Sequence, residues 1–343
     1  MNYHFRNLVF EGGGVKGVAY AGALEELEAK GILPNIKRVG GTSAGAITAT
    51  LVALNYSVEE IRDIVIKQDF EEFLDDSFGY IRDIYRIVTK FGWCKGDRFR
   101  EWIGKLIGNK TGNVNSTFND IIKMRDEKGF RELYIIGTNL STGFAEVFSF
   151  EHTPRMCIAD AVRISMSIPF IFVPPINFRN NYYCDGGLMD NYPVKLFDRE
   201  KYIEKPESAR KTEYYENHNK MIQKHRKYIS PYVYNKETLG FRLDTAKEIA
   251  VFRDQAEPVR NNINNFFDFT KVVILALFNI QESMHLHSDD WQRTIYIDTK
   301  GVKTTDFSLD MKRKKDLINA GKEGVKNYFN WFDDPNESPI NRI

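Results

Sequence analysis

Short apolar runs alternate with stretches of helical periodicity along the start of the chain. Residues 6–10 end in the apolar run Leu8-Val9-Phe10, which is typical of a short buried strand, and a glycine-rich loop follows at once. Residues 18–30 are rich in Ala, Leu and Glu and are followed by Gly31, so they predict a helix. A strand at residues 36–39 and a helix at residues 44–54 repeat this order. The repetition favours βαβ units and a parallel sheet.

The same alternation continues downstream. Further strands are predicted at residues 133–138, 145–150, 182–184 and 294–297. Further helices are predicted at residues 58–90, 97–106, 157–166 and 312–329. Apolar periodicity is also clear at residues 263–286. Because no internal repeat interrupts the order, we expect residues 1–343 to form one domain, which residues 241–343 complete.

One segment departs from this alternation. Residues 198–235 are dense in Lys, Glu, Arg, Tyr and Asn and contain few aliphatic residues. A solvated helical insertion and a lid over a site would both have this composition. We therefore treat residues 198–240 as a charged insertion or lid, which follows a core at residues 5–197.

The composition narrows the class of protein. Hydrophobic residues make up 42% of the chain and charged residues 28%, which is typical of a globular protein. The net charge of +1 produces no global field for a nucleic acid, so we expect no nucleic-acid partner. The most apolar stretch, residues 272–278, is much shorter than the ~20 residues that span a bilayer.

The cysteines and the first residues bear on location. Cys94, Cys157 and Cys184 are far apart and odd in number, which disfavours a disulfide framework and a cysteine-based zinc site. The N-terminus lacks the positive end and apolar run of a signal peptide. We therefore expect a cytoplasmic protein and leave peripheral membrane contact open.

The candidate nucleophile is Ser43, in the sequence Gly41-Thr42-Ser43-Ala44-Gly45. Glycines two positions before and after a Ser permit a sharp turn between a strand and a helix, since bulky neighbours would collide there. Such a turn exposes the hydroxyl, and the N-terminus of the following helix favours negative charge nearby. A glycine turn whose Ser has no catalytic role is the alternative, because the pattern also occurs by chance.

The glycine-rich loop at residues 12–17 has two interpretations. It matches the G-x-G-x-x-G fingerprint of dinucleotide binding, but Gly40 and Gly41 stand where an acidic residue should bind the ribose. The other interpretation is an oxyanion hole, in which each donor contributes roughly 3 kcal/mol to lowering the barrier. Its N–H donors would come from Gly12, Gly13 and Gly14. Lys16 either presents a cation to the site or braces the loop.

Asp185, followed by Gly186 and Gly187, is the candidate base. It ends a predicted strand, and the glycines leave room beside its carboxylate for another backbone segment. Asp185 is far from Ser43 in the chain, so only the fold can bring them together. An unperturbed Asp, with a pKa of about 3.9, is a weak base, but burial would raise its basicity. An ordinary Asp-Gly turn is the alternative.

A histidine base is the other possibility, because an α/β-hydrolase triad has the chain order Ser, Asp, His. Four histidines follow the candidate Asp: His218, His225, His285 and His287. The first two lie in the charged segment, and no glycine-rich loop accompanies the last two. This context disfavours a catalytic histidine, and an ordinary Ser-Asp-His esterase stays the alternative.

Together these motifs resemble the patatin-like phospholipase family, which combines a glycine-rich oxyanion loop, a G-x-S-x-G turn and a D-G-G or D-G-A motif. The sequences at residues 164–170 and 188–193 also resemble the family's segments before and after its Asp. The resemblance covers residues 5–197. Glu11 stands where the family often has Asp, and Lys16 where Arg is commoner.

The resemblance implies a three-layer α/β/α sandwich with a mainly parallel central sheet, and the hydrolysis of lipid acyl esters. Ser43 would attack the ester, Asp185 would take its proton, and the three loop glycines would stabilise the oxyanion. This Ser-Asp dyad needs no metal and no cofactor, and the sequence has no calcium loop of the D-x-D-x-D-G type. The supporting loop positions are Lys16, Gly17, Gly41, Gly45, Gly186 and Gly187.

The expected partners are membrane phospholipids or other acyl lipids. The basic run at residues 312–315 could contact anionic headgroups, although a solvated helix start is the simpler explanation. An activating ligand or protein partner is a further expectation, because some bacterial members of the family are regulated and the charged segment could receive the signal. A non-catalytic lipid-binding module of the same fold is the remaining alternative.

Overall fold

The computed structural model describes residues 3–74, 92–174, 176–178, 180–223, 229–244 and 289–343, together with residues 263–264, 272–273 and 276. Several predicted features lie wholly or mostly outside these described residues. They are the second half of the 58–90 helix, the periodicity at 263–286, the apolar run at 272–278, and His225, His285 and His287.

The predicted strands and helices that fall on described residues occur in their predicted order, and the structure adds elements that the sequence did not predict, among them the strand Thr238–Asp244 of the central sheet. The strands are β1 (Asn7–Phe10), β2 (Arg38–Thr42), β3 (Gly92–Cys94), β4 (Glu132–Asn139), β5 (Phe144–Ser149), β6 (Phe170–Phe172), β7 (Ile176–Phe178), β8 (Asn181–Asp185), β9 (Ala209–Arg210), β10 (Tyr234–Asn235), β11 (Thr238–Asp244) and β12 (Thr294–Asp298). The α-helices are α1 (Ala19–Ala29), α2 (Ala44–Ala53), α3 (Val58–Lys67), α4 (Asp97–Thr111), α5 (Phe118–Lys123), α6 (Arg125–Lys128), α7 (Ile158–Ser165), α8 (Gly187–Asp190), α9 (Glu213–Gln223) and α10 (Met311–Phe332).

The predicted helix at residues 58–90 is wrong for the described residues beyond Lys67, because the backbone is extended at Gln68 and Asp69 and a short 3-10 helix follows at Phe70–Phe73.

Two other element boundaries differ from the prediction for identifiable local reasons. The strand expected at residues 36–39 begins at Arg38 and continues to Thr42, because the two glycines inside it pair with the neighbouring strands as any residue would. The helix expected at residues 97–106 extends to Thr111 and ends at Gly112, whose φ of 85° stops it.

The central sheet is mixed and mainly parallel. Its strand order is β12-β11-β1-β2-β4-β8-β7, and β5 also pairs with β4. The five strands β12, β11, β1, β2 and β4 run parallel to one another, whereas β5, β7 and β8 are antiparallel to their neighbours. The parallel strands therefore end at one side of the sheet, here called the carboxyl edge, and begin at the opposite amino edge.

Both faces of the sheet are covered. Along β1, Leu8 and Phe10 join the large core formed with helices α1, α2, α7 and α10, while Val9 joins a smaller core on the other face. That smaller core also contains Tyr134, Phe197 and Tyr202. The alternation along the strand shows the expected period of two for a sheet buried on both faces. The result is a three-layer α/β/α arrangement.

Strand pairing at the centre of the sheet brings the C-terminal ends of β2 and β8 together. Along one side of β4, the first half pairs with β2, ending with Thr42 opposite Ile136. The next residue of β4, Gly137, pairs with Asp185 at the end of β8, which arrives from the opposite direction. The ends of the two strands are thereby brought together at the carboxyl edge.

The described part of the charged segment lies at the amino edge instead. Glu204 forms an ion pair with Arg6, which precedes β1, at 3.1 Å. Asp198 pairs at 2.6 Å with Arg293, which precedes β12. These contacts favour an insertion over a lid for the described residues. Residues 238–240, included in the predicted insertion, belong to β11 of the central sheet.

No helix in the described part of the chain combines the length and the apolar character that crossing a bilayer requires.

Candidate active site

Ser43 occupies the sharp turn that its flanking glycines predict. It follows the last residue of β2 and precedes the first residue of α2, with φ 53° and ψ −121°. A non-glycine residue rarely adopts this backbone conformation, which costs of order 1–3 kcal/mol and persists only where the surroundings impose it. The strain orients the Ser43 side chain at the carboxyl edge.

The glycines at positions 41 and 45 permit the turn because three backbone segments crowd there. A Cβ atom on Gly41 would stand 2.4 Å from the backbone of Gly45, and a Cβ on Gly45 would stand 2.3 Å from the carbonyl oxygen of Phe10. A side chain at position 41 would displace the start of α2, and a side chain at position 45 would displace the end of β1. The G-x-S-x-G pattern therefore reflects close packing around Ser43.

Asp185 lies in hydrogen-bond contact with Ser43. The Ser43 hydroxyl donates to Oδ2 of Asp185 at 2.8 Å, and the Gly187 N–H donates to Oδ1 at 2.7 Å. Both members of the pair are buried, with 3% of Ser43 and 2% of Asp185 exposed, so the prediction that the turn exposes the Ser43 hydroxyl is wrong for this structure, in which Asp185 and Met166 cover that hydroxyl. One carboxylate oxygen is thus held by the backbone while the other faces the hydroxyl.

Burial changes the acidity of Asp185. Loss of solvation raises the pKa of its carboxyl to about 7, against the opposing effects of the hydrogen bonds from Gly187 and Ser43. A higher pKa makes the carboxylate a stronger base, which is what a dyad without histidine requires.

Ser165 is a site residue to which the sequence assigned no role. It ends α7, is fully buried, and its Oγ accepts the Ser43 N–H at 2.8 Å. The same hydroxyl donates to the carbonyl oxygen of Ile136 at 2.6 Å, so it joins the strained turn to β4. A serine at the end of a predicted helix, close before Pro169, was the available signal. The thioether of the next residue, Met166, lies 3.5 Å from the Ser43 Oγ.

The glycine-rich loop lies directly against the nucleophile. A Cβ atom on Gly12 would stand 3.1 Å from the Cβ of Ser43. The Gly12 N–H donates to the carbonyl oxygen of Asn191 at 3.1 Å, whereas the N–H groups of Gly13 and Gly14 have no hydrogen-bond acceptor among the described residues. Of the three predicted donors, Gly13 and Gly14 therefore have amides available in this conformation.

Contacts with β11 and with the loop before α10 hold the glycine-rich loop in place. The Glu11 carboxylate accepts the Leu243 N–H at 2.7 Å and lies 3.7 Å from the buried Arg242 guanidinium. Gly14 has a φ of 54°, and a Cβ there would stand 2.1 Å from the Thr304 carbonyl oxygen. Lys16 approaches the Leu243 carbonyl oxygen at 3.5 Å, which favours its bracing role.

The remaining predicted glycines have close contacts of the same kind. A Cβ on Gly17 would stand 2.9 Å from the Cβ of Ala44, and a Cβ on Gly186 would stand 2.4 Å from the Ile136 carbonyl oxygen. These contacts pack the loop against the start of α2 and the end of β8 against β4. The supporting positions thus surround the Ser43–Asp185 pair.

No histidine among the described residues contacts this pair; Ser43 Oγ bonds to Asp185 and Met166. His218 lies on α9, which Tyr215 joins to Asp198 at the amino edge. The other three candidates lie outside the described residues. Within the described ranges, no group of three or more His, Cys, Asp or Glu side chains could hold a metal ion.

Comparison with known proteins gives a consistent result. A family model described as patatin-like phospholipase matches residues 8–198, which include every predicted site residue. An uncharacterized protein, R571 of Acanthamoeba polyphaga mimivirus, is 33% identical over 94% of this chain and 92% of its own length. A probable lipid hydrolase, 463L of Invertebrate iridescent virus 6, is 28% identical over 56% of this chain and 63% of its own length.

Among solved structures, VipD from Legionella pneumophila is similar in fold. The match has a TM-score of 0.61 at 18% identity and covers 96% of this chain and 67% of VipD. This similarity extends beyond the family-model match to the C-terminal part of the chain. The predicted three-layer fold is confirmed.

Proposed function

The chain belongs to the patatin-like phospholipase family, and from this membership we propose that it hydrolyses ester-linked fatty acyl chains of lipids. Membrane phospholipids are the substrate class that the family's description favours. The proposed dyad consists of Ser43 as the nucleophile and Asp185 as the base.

The observation that carries this proposal is the 2.8 Å hydrogen bond from the Ser43 hydroxyl to Asp185. A serine hydroxyl is almost fully protonated at neutral pH and needs a base in contact with it. Asp185 satisfies this geometry, and its pKa of about 7 brings its basicity near the operating pH.

The reaction would proceed through an acyl-enzyme. As Ser43 Oγ bonds to the carbonyl carbon of the ester, its proton passes to Asp185 Oδ2, and negative charge develops on the former carbonyl oxygen. The amides of Gly13 and Gly14 would stabilise this oxyanion, with Gly12 contributing if its bond to Asn191 is exchanged. The tetrahedral intermediate then expels the alcohol, which takes the proton from Asp185.

Deacylation repeats the steps with water. Asp185 takes a proton from the water molecule that attacks the ester between Ser43 and the fatty acid. Collapse of the second intermediate returns the proton to Ser43 Oγ and releases the fatty acid. No step in this sequence requires a group other than the protein and water.

The test combines turnover with labelling of the nucleophile. Purified protein would be incubated with mixed phospholipids, and the products would be identified by mass spectrometry. The test variant is Ser43→Ala, and the matched control is Ser308→Ala, which changes an exposed serine. We expect fatty acid from the wild type and from Ser308→Ala, and none from Ser43→Ala. A fluorophosphonate should modify residue 43 in the wild type and in Ser308→Ala, and should not modify it in Ser43→Ala.

Two results would contradict the proposal. Undiminished fatty-acid release by Ser43→Ala would show that Ser43 is not the nucleophile. Absence of fluorophosphonate labelling in the wild type would favour a non-catalytic lipid-binding module. Turnover without any addition would count against the expected activating ligand or partner.

A further inference from the structure

The turn between β4 and β5 exposes apolar side chains beyond the site. Every residue from 140 to 145 is exposed, including Leu140 at 47% and Phe144 at 70%. Tyr182, at the start of β8 and opposite Leu140, is 39% exposed. We call residues 140–145 together with Tyr182 the hairpin tip.

The hairpin tip is ordered despite its exposure. The buried Asn139 side chain accepts the N–H groups of Ser141 and Thr142, at 3.0 and 3.2 Å, and the Asn139 carbonyl oxygen accepts the Gly143 N–H at 2.8 Å. Tyr182 is joined to the turn in both directions, since its carbonyl oxygen accepts the Leu140 N–H and its own N–H donates to Ser141 Oγ. The apolar side chains are therefore held outward on a defined turn.

The chemistry of the hairpin tip is unusual for an exposed turn. Residues 138–145 contain no charged side chain, and neither do residues 180–184. Exposed turns are ordinarily polar, so an uncharged projection with Leu, Phe and Tyr indicates a contact surface.

The hairpin tip also lies at the carboxyl edge, close to the site. Gly137, the partner of Asp185, is three residues before Leu140 on β4, which corresponds to about 10 Å along the strand. Phe144 pairs with Asn139 and so lies on the same sheet face as Gly137 and Asp185. The hairpin tip therefore begins about 10 Å beyond the position on β4 that pairs with Asp185.

We propose that the hairpin tip inserts into the interfacial layer of a lipid bilayer and brings the Ser43–Asp185 pair to the membrane surface. This inference rests on the proposed function, because it assumes a substrate that resides in the bilayer. Apolar and aromatic side chains on a narrow projection suit the boundary between headgroups and acyl chains.

The size and charge of the hairpin tip favour lipid over a protein partner. A stable protein interface buries roughly 800 Å² on each partner, which a single turn with three apolar side chains does not supply. Because the hairpin tip lacks cations, the contact should form on zwitterionic lipid and should depend little on salt.

The experiment measures binding and turnover separately. Binding to phosphatidylcholine vesicles would be measured by co-flotation in the Ser43→Ala background, which prevents hydrolysis. The test variants are Phe144→Ser alone and combined with Leu140→Ser. The control is Met221→Ser on α9, an equally apolar side chain that is 60% exposed at the amino edge. Hydrolysis of a soluble short-chain ester and of vesicle lipid would then be compared with Ser43 intact.

We expect Phe144→Ser to lower vesicle binding and vesicle hydrolysis about tenfold, and the double variant to lower both further. Hydrolysis of the soluble ester and the thermal midpoint should not change, and Met221→Ser should match the wild type in every assay. Equal binding at low and high salt would support insertion.

The proposal is overturned if wild-type protein does not bind phosphatidylcholine vesicles, or if Phe144→Ser binds as well as Met221→Ser. It is also overturned if binding disappears at high salt, which would point to the basic run at residues 312–315. Loss of soluble-ester hydrolysis in Phe144→Ser would assign Phe144 to the site instead. Failure of wild-type protein to cleave the soluble ester would count against the proposed function. The co-flotation measurement would still show whether the hairpin tip inserts into the bilayer.

Discussion

The two edges of the sheet each bury an aspartate, with opposite surroundings. At the carboxyl edge, Asp185 receives a hydroxyl and an amide hydrogen bond, and burial raises its pKa to about 7. At the amino edge, Asp198 receives both terminal nitrogens of Arg293, at 2.6 and 2.7 Å. Arg293 also pairs with Asp290 at 2.6 Å and lies over the Tyr234 ring.

The two buried aspartates therefore differ in what they do: Asp185 is buried at a cost in stability, whereas Asp198 supports the fold. A buried carboxylate without a cation is destabilising, and that cost makes Asp185 a useful base. The Asp198 carboxylate, held by two guanidinium nitrogens, instead joins the segments that precede β11 and β12 to the rest of the fold. Substitutions at the two edges should therefore affect different measurements.

The largest expected effect is on turnover at the carboxyl edge. Asp185→Asn keeps a hydrogen-bonding side chain but removes the base, so kcat for a soluble ester should fall on the order of 10³-fold or more. The free energy of unfolding at neutral pH should not fall, because a buried charge is removed. Measuring kcat and denaturant-induced unfolding for the wild type and Asp185→Asn checks both expectations. An unchanged kcat would show that Asp185 is not the base.

The next effect is on stability at the amino edge. Arg293→Met removes the guanidinium that holds the buried Asp198 carboxylate, while Asp290 keeps Lys195 at 3.4 Å, and should lower the free energy of unfolding by about 3–5 kcal/mol. The kcat of the folded fraction should remain close to the wild type. Arg313→Met is the matched control, because its pair with Asp306 is largely exposed and such pairs contribute about 0–1 kcal/mol. Equal losses in the two variants would contradict the comparison.

The pH dependence should follow the raised pKa of Asp185. The folded protein retains a proton that the unfolded chain releases between its ordinary pKa of 3.8 and about 7, so this group's contribution to stability is lost as pH rises through that window. Relative to Asp185→Asn, the wild type should lose about 3–4 kcal/mol over the window and change little above it. Turnover should rise over the same range, as the base ionises. Unfolding and kcat measured from pH 4 to 8 test both expectations. Parallel curves of stability against pH for the wild type and Asp185→Asn would refute the raised pKa of Asp185.

The smallest expected effect concerns the support of the strained turn. Ser165→Ala leaves the Ser43 N–H and the Ile136 carbonyl oxygen without their shared partner, so kcat should fall about tenfold. Because Ser165 acts through Ser43, KM for a soluble ester should change little. Ser165→Thr, which retains the hydroxyl, should recover part of kcat. A fall in stability with unchanged kcat would give Ser165 a structural role alone.

Much of the site could be predicted because its chemistry is local in sequence. The turn at Ser43 needs glycines at fixed offsets, and a loop that approaches another backbone needs them too, so sequence alone reveals both. The partners that complete the site carry no such pattern. Ser165 and the Asn191 carbonyl oxygen, which binds the Gly12 amide, are ordinary polar groups until the fold places them.

The sequence by itself determined the strand–helix alternation of the first 54 residues, the nucleophile turn, the glycine-rich loop and the identity of the candidate base, because each depends on local sterics and periodicity; it did not reveal β11 of the central sheet. Tertiary structure alone decided that the ends of β2 and β8 meet at Ile136 and Gly137 of β4, which joins Ser43 to Asp185. It also decided that the described charged segment lies at the opposite edge. Strand pairing and burial act between residues far apart in the chain, and no local pattern encodes them.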